Sequence, residues 1–177
     1  MIEDRCVRRR TILAMGLAAA CGAASSCRRE NGRGLWRSFT EAEARTVEAI
    51  CEQIIPADQD PGAKSAGVVH FIDLQLARPY RRYRQAYRDG IAAVEKVSRT
   101  KCGRAFADAT PDQQAEVLHG IEESQPVFFD LILNHTRQGF YGDPRHGGNR
   151  NMASWKMLRL PFPQVRGRQH YEEVKAG

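Results

Sequence analysis

The chain has 177 residues, with 27 Lys and Arg against 21 Asp and Glu, five His, five Cys, 42% apolar and 8% aromatic residues. That length suits one compact domain, and the apolar share is enough for a core, which excludes wholesale disorder. No apolar run approaches the ~18–20 residues of a spanning helix, glycine and proline follow no repeat period, and neither GxGxxG nor GxxxxGK[ST] occurs.

The first segment reads as an export address. Arg8, Arg9 and Arg10 precede Thr11-Ile12-Leu13 and an Ala/Gly-rich stretch to Ala24. A basic start, a short apolar middle and a small-residue end make a secretory signal. Arg9 and Arg10 followed by Thr11-Ile12-Leu13 match the twin-arginine form, which resembles a route for proteins exported already folded, often with a cofactor or partner attached. Residues 1–27 are therefore expected to be a twin-arginine signal peptide and 28–38 a polar linker. Cleavage near Ala20 or Ala24 competes with lipidation at Cys21 or Cys27. Both Ala18-Ala19-Ala20-Cys21 and Ala24-Ser25-Ser26-Cys27 resemble a lipoprotein box, though neither has Leu three residues before the Cys. Removing residues 1–27 takes away four arginines and two acids, so the formal charge falls from +6 to +4. That is ordinary for an exported protein and low for a nucleic-acid binder. The expected location is the periplasm, with attachment to the membrane through a complex or through a lipid.

The body, residues 39–163, is expected to be all-α: a single domain of about five helices followed by a long ordered loop rich in Gly, Pro and aromatics, with a polar tail over 164–177. Thr40-Glu41-Ala42-Glu43 is a capping box that opens the first helix; Val47, Ile50, Cys51 and Ile54 form its stripe, and Pro56 ends it. After a turn over Pro56 to Gly62, a second helix is expected from Ser65 to Leu76, presenting Val68, Val69, Ile72 and Leu76. The third, Tyr80 to Val97, places Tyr83, Tyr87, Ile91 and Val94 on one face. Thr110-Pro111-Asp112-Gln113 caps a fourth carrying Ala115, Leu118 and Ile121. Gln125-Pro126 begins a fifth with Val127, Phe128, Leu131, Ile132 and His135. No segment alternates as a strand does.

Exported proteins meet oxidising conditions. Cys51 and Cys102 are thus candidates for a disulfide with each other or with a partner chain, or they remain thiols. No C-x-x-C and no spaced Cys/His set occurs, so no metal site is expected. His70, His119, His135, His146 and His170 fall in separate elements; His135 reads as a hydrogen-bonded core histidine, and His146 as packing or touching a partner. Asp143-Pro144 reads as an Asx turn rather than a general base. No catalytic residue is expected on this chain. Arg78 to Arg88 interleaves arginine with Tyr80, Tyr83 and Tyr87. A buried tyrosine face ringed by solvated arginines explains this without nucleic acid, and the surface suits an acidic partner.

Three stretches carry a family likeness: FTEAEARTVEAICEQIIPAD (Phe39 to Asp58), FADATPDQQAEVLHGIE (Phe106 to Glu122) and, most specifically, GFYGDPRHGGNRNMASWKM (Gly139 to Met157). Together they resemble the gluconate 2-dehydrogenase subunit 3 family, the small subunit of FAD-dependent sugar and sugar-acid dehydrogenases. Two departures stand out: His146 replaces a usual Tyr, and Arg159-Leu160-Pro161-Phe162-Pro163 replaces a Gly-Phe-Pro-Gly ending. The resemblance implies a non-catalytic subunit that binds no cofactor itself and escorts an FAD-binding large subunit of the glucose-methanol-choline type through the export machinery. A cytochrome c subunit joins in those complexes that have one. By carry-over, Phe140, Tyr141, Gly142, Asp143, Pro144, Gly147, Gly148, Asn149, Trp155 and Lys156 are the expected partner-binding or loop-framing positions. Two alternatives stay open: a subunit lending Lys156 or His146 to the flavin site, and a free-standing exported helical binding protein or lipoprotein.

Overall fold

A computed structural model describes residues 35–160. These form six α-helices and four short 3-10 turns, with no strand among the described residues. The expected signal (Arg9, Arg10), the lipidation candidates Cys21 and Cys27, and the 164–177 tail lie outside the described residues.

Helix α1 spans Glu41–Ile54. Its capping box is formed as expected: the Glu43 amide donates to the Thr40 hydroxyl at 3.2 Å, and the Thr40 amide donates to the Glu43 carboxylate at 2.7 Å. Each side chain thereby satisfies a donor the helix itself cannot. The turn after α1 is wrapped around a carboxylate: Glu52 accepts from the amides of Ala57 at 3.0 Å and Lys64 at 2.8 Å. Helix α2 spans Val68–Ala77 and starts later than Ser65, because the Ala63 amide donates back to Ile55 and Gly67 takes a left-handed conformation (φ 68°). The chain then makes a 3-10 turn over Arg81–Tyr83 before α3, Arg84–Cys102, which ends at the left-handed Gly103. The expected third helix was thus placed too early at both ends. Phe106–Asp108 is a second 3-10 turn. Helix α4, Pro111–Ser124, has the Thr110/Gln113 capping box, and α5 spans Pro126–Tyr141.

The expected apolar stripes meet in one core, in which α2 packs on α5, α3 on α4 and α1 on both α2 and α5. Its largest fully buried side chains are Tyr87, Phe106, Phe140, Ile50, Ile72 and Leu76, each contributing on the order of 2 kcal/mol by leaving water. Two expected core positions are wrong. Ala115 is exposed because Gln114, Val117, Leu118 and Ile121 form the inner face of α4. Val127 is 78% exposed, on the first turn of α5, where Phe128 points inward instead.

The disulfide between Cys51 and Cys102 is not formed; both are free. Cys51 is enclosed between α1 and α5, its sulfur 3.2 Å from the Thr136 hydroxyl. Burial pushes its thiol pKa up to about 12, against a smaller lowering from the Thr136 hydrogen bond. A thiol so held is poorly nucleophilic.

The last residues of the expected linker are fixed to the body. Asp73, buried on α2, accepts from the amides of Arg37 at 2.8 Å, Ser38 at 2.7 Å and Phe39 at 3.1 Å. The Ser38 hydroxyl donates to the Asp73 carbonyl, and Trp36 stacks on His70 at 4.6 Å. Nothing in the sequence pattern marked Asp73 for this task, since it falls on a helix otherwise read for its apolar residues.

Candidate functional site

The segment expected as a long loop is ordered and contains structure of its own. It holds 3-10 turns over Pro144–His146 and Arg150–Met152 and a short helix α6, Ala153–Met157.

Asp143 opens the segment as an Asx turn, as expected. Its carboxylate accepts from the Arg145 amide at 2.9 Å and from the Arg145 guanidinium at 2.9 and 2.6 Å. The side-chain hydrogen bonds from Arg145 are the chief reason its pKa lies below the ordinary aspartate value. Pro144 follows at the first position of the turn. Gly147 has φ 101°, a conformation a Cβ disfavours. Gly148 is the tightest point: a methyl group there would fall on the carbonyl of Gly139 in α5. Loop backbone and helix backbone are therefore in direct contact.

Asn149 is the clamp. It is fully buried and left-handed (φ 45°), a region Asn tolerates better than most residues. Its amide nitrogen donates to the Gly142 carbonyl at 2.9 Å, and its amide oxygen accepts from the Ser154 amide at 3.0 Å. One side chain thus joins the end of α5 to the start of α6. The Arg150 amide donates to the Ala66 carbonyl at 2.9 Å, which ties the segment to the turn before α2.

The ten carried-over positions divide by where they face. Phe140 is buried in the core, while Gly147, Gly148 and Asn149 hold the segment against α2 and α5. Gly142 and Trp155 also frame it, the Trp155 indole donating to the Tyr141 carbonyl at 3.0 Å. Tyr141 is 45% exposed, edge-on to Phe140 at 4.9 Å. Asp143 and Pro144 are half-buried in the turn that opens the segment, and Lys156 is exposed, as is His146, which is not one of the ten.

Beside Tyr141 lies an open groove of about 520 Å³, lined by Phe71, Gln75, Tyr80, Gln138, Tyr141 and His146. Four of these (Phe71, Gln75, Tyr80 and Gln138) were not foreseen as site residues. They come from α2, the turn before α3 and α5, and only the packing of α2 on α5 brings them to the signature segment. The Tyr80 hydroxyl donates to the Gln138 side-chain carbonyl at 2.7 Å, and the Gln75 amide reaches the His146 carbonyl at 3.4 Å.

Behind this wall stands His135. Tyr80 stacks on it at 4.4 Å, and Tyr87 lies nearly parallel at 5.9 Å with its hydroxyl 3.0 Å from the Nδ1 of His135. Burial lowers the imidazole to a pKa of about 4, so it is neutral at neutral pH, as a core histidine should be. Among the described residues no three His, Cys, Asp or Glu side chains gather where they could hold a metal ion. No helix among the described residues is long and apolar enough to cross a membrane.

No curated protein and no solved structure matches the chain. A family model does: the one described as gluconate 2-dehydrogenase subunit 3 matches residues 41–161, from the first turn of α1 through the whole signature segment. With two thirds of its length matched, including the Asn149 clamp and the groove beside it, the chain belongs to the gluconate 2-dehydrogenase subunit 3 family.

Proposed function

We propose that this chain is a non-catalytic small subunit of a periplasmic FAD-dependent sugar or sugar-acid dehydrogenase. It escorts a large flavoprotein of the glucose-methanol-choline type through folding and twin-arginine export, and then steadies it. The observation that carries this reading is the division of labour in the signature segment. Its glycines and Asn149 are spent on holding the backbone still, which leaves Tyr141 and His146 on the wall of a groove and Lys156 exposed. A surface ordered before it meets a partner loses less entropy on binding than a flexible one. A half-exposed tyrosine is the kind of side chain that anchors interfaces.

The escort role is tested by expressing the flavoprotein with and without this chain. Flavoprotein should reach the periplasm only when the chain is present; export without it overturns the proposal. In the purified complex, Tyr141→Ala with Trp155→Ala should abolish co-elution with the flavoprotein. A contribution to the flavin site itself is the second reading, favoured by the exposed ring of His146 on the groove wall. Replacing both His146 and Lys156 without loss of turnover dismisses it.

A further inference from the structure

The turn between α2 and α3, together with the first turn of α3, is crowded with arginine. From Arg78 to Arg88 there are five arginines and no acidic residue. Arg84 is half-buried and closes the turn by donating to the Leu76 carbonyl at 2.8 Å. The other four are exposed, and none of them forms an ion pair with a described residue. Elsewhere Arg45, Lys64, Lys101 and Arg145 each sit against a carboxylate, and cations without an ion pair to a described residue, such as Lys96, Arg104, Arg137 and Lys156, are scattered; only here do they crowd into one short stretch.

This turn and the groove share one frame. Tyr80 belongs to the turn and forms a wall of the groove, and the Gln75 carbonyl accepts from the amides of both Arg78 and Tyr80, at 3.0 and 2.9 Å. Arg82 lies over the Tyr83 ring, 4.6 Å from its centroid, and Tyr83 meets His135 edge-on behind Tyr80. The arginines therefore rise from a backbone held by the core and sit at a constant place relative to Tyr141.

We infer that this face docks an acidic surface of the flavoprotein. Carboxylates meet Arg78, Arg81 and Arg82, and an apolar or aromatic side chain enters the groove between Tyr80 and Tyr141. The inference rests on the functional reading above and adds the place and chemistry of the contact. Guanidinium groups suit it because their planar forks match carboxylates in pairs and are weakly hydrated. A concave groove beside the charges favours a protein over a lipid surface, since a flat anionic membrane would meet the arginines and leave the concavity empty.

The test is the affinity of the chain for co-expressed, purified flavoprotein at low and high ionic strength. The variants are the triple charge reversal Arg78→Glu, Arg81→Glu, Arg82→Glu and the triple lysine set at the same positions. All three residues are exposed, so thermal melting should match the parent chain and serves as the folding control. The reversal should weaken binding roughly ten- to a hundredfold at low salt and flatten its salt dependence, as charge changes at an interface rim do. The lysine set, which keeps the charge but not the planar forks, should bind more tightly than the reversal and less tightly than the parent chain, with the parent's salt dependence retained.

Equal affinity and an unchanged salt dependence in the reversal variant overturn the inference while leaving the escort role standing. Loss of binding to phosphatidylglycerol vesicles, with flavoprotein binding intact, assigns the face to lipid and also overturns it. If the parent chain captures no flavoprotein at all, the escort role and this inference fall together.

Discussion

Between Glu41 and Phe140 the chain buries Val47, Ile50, Ile72, Val94, Phe106, Ile121 and Ile132 almost completely; beyond Phe140 the buried described residues are Gly148, Asn149 and Ser154, without one apolar side chain among them. The helical body is held by apolar burial, which is non-directional and tolerant of detail. Beyond Phe140 the signature segment is held mainly by directional hydrogen bonds, backbone contact at Gly148 and left-handed residues at Asn149, Asn151 and Met152, with only the half-buried Ala153 and Met157 packed on the core. Such a segment contributes little to global stability but has few ways to be right. That combination suits a surface that presents fixed side chains to another molecule.

The comparison is most severely tested in the body. Phe106→Ala should cost about 3–5 kcal/mol of unfolding free energy, since the ring is wholly enclosed and its cavity cannot easily collapse. Chemical denaturation measures it, and a loss below about 1 kcal/mol would mean that the core is not close-packed there.

Asn149→Ala removes both bonds of the clamp and a residue suited to its left-handed backbone, so about 2–3 kcal/mol should be lost from the segment. The loss should be local: faster exchange at the Ser154 amide and faster proteolysis after Gly142, with exchange in α1 and α5 unchanged. Equal loosening of the helices would show that the two regions unfold as one unit.

Acid should act on the body first. The folded pKa of His135 is about 4 against an ordinary 6.5, because burial disfavours the charged ring; burial also lowers His70, with a further contribution from Arg150. The unfolded chain therefore binds more protons than the folded one between these values. Stability is fully present above pH 6.5 and falls as pH drops toward 4, by about 2 kcal/mol from His135. Denaturation at both ends of that window, in the parent chain and in His135→Gln, measures it. An undiminished pH dependence in the variant would place the effect elsewhere.

The smallest expected effect on stability is that of Tyr141→Ala, within about 0.5 kcal/mol, because nearly half of its surface already meets solvent. Thermal melting checks this. A large drop would move Tyr141 from the presented surface to the framework.

The amphipathic stripes and both capping boxes were legible in the sequence because they depend only on residues within one or two helical turns. Their boundaries were less so. The true start of α2 depends on Gly67 and a hydrogen bond back to Ile55, and the end of α3 on Gly103. Within the site, the Asx turn at Asp143 was legible for the same reason: it closes over two residues. The clamp role of Asn149 was not, since its partners Gly142 and Ser154 only acquire meaning once the backbone has turned.

By itself, then, the sequence determined the all-α class, the helix stripes, the family likeness and the residues worth watching, all of which are local patterns or matches of residue types. Only tertiary structure decided which signature residues face inward, that Cys51 pairs with Thr136 instead of Cys102, that Asp73 pins the chain ahead of α1, and that Tyr80 and Gln138 stand beside Tyr141. Those outcomes join residues tens of positions apart, and they follow from how helices pack, which no local spacing encodes.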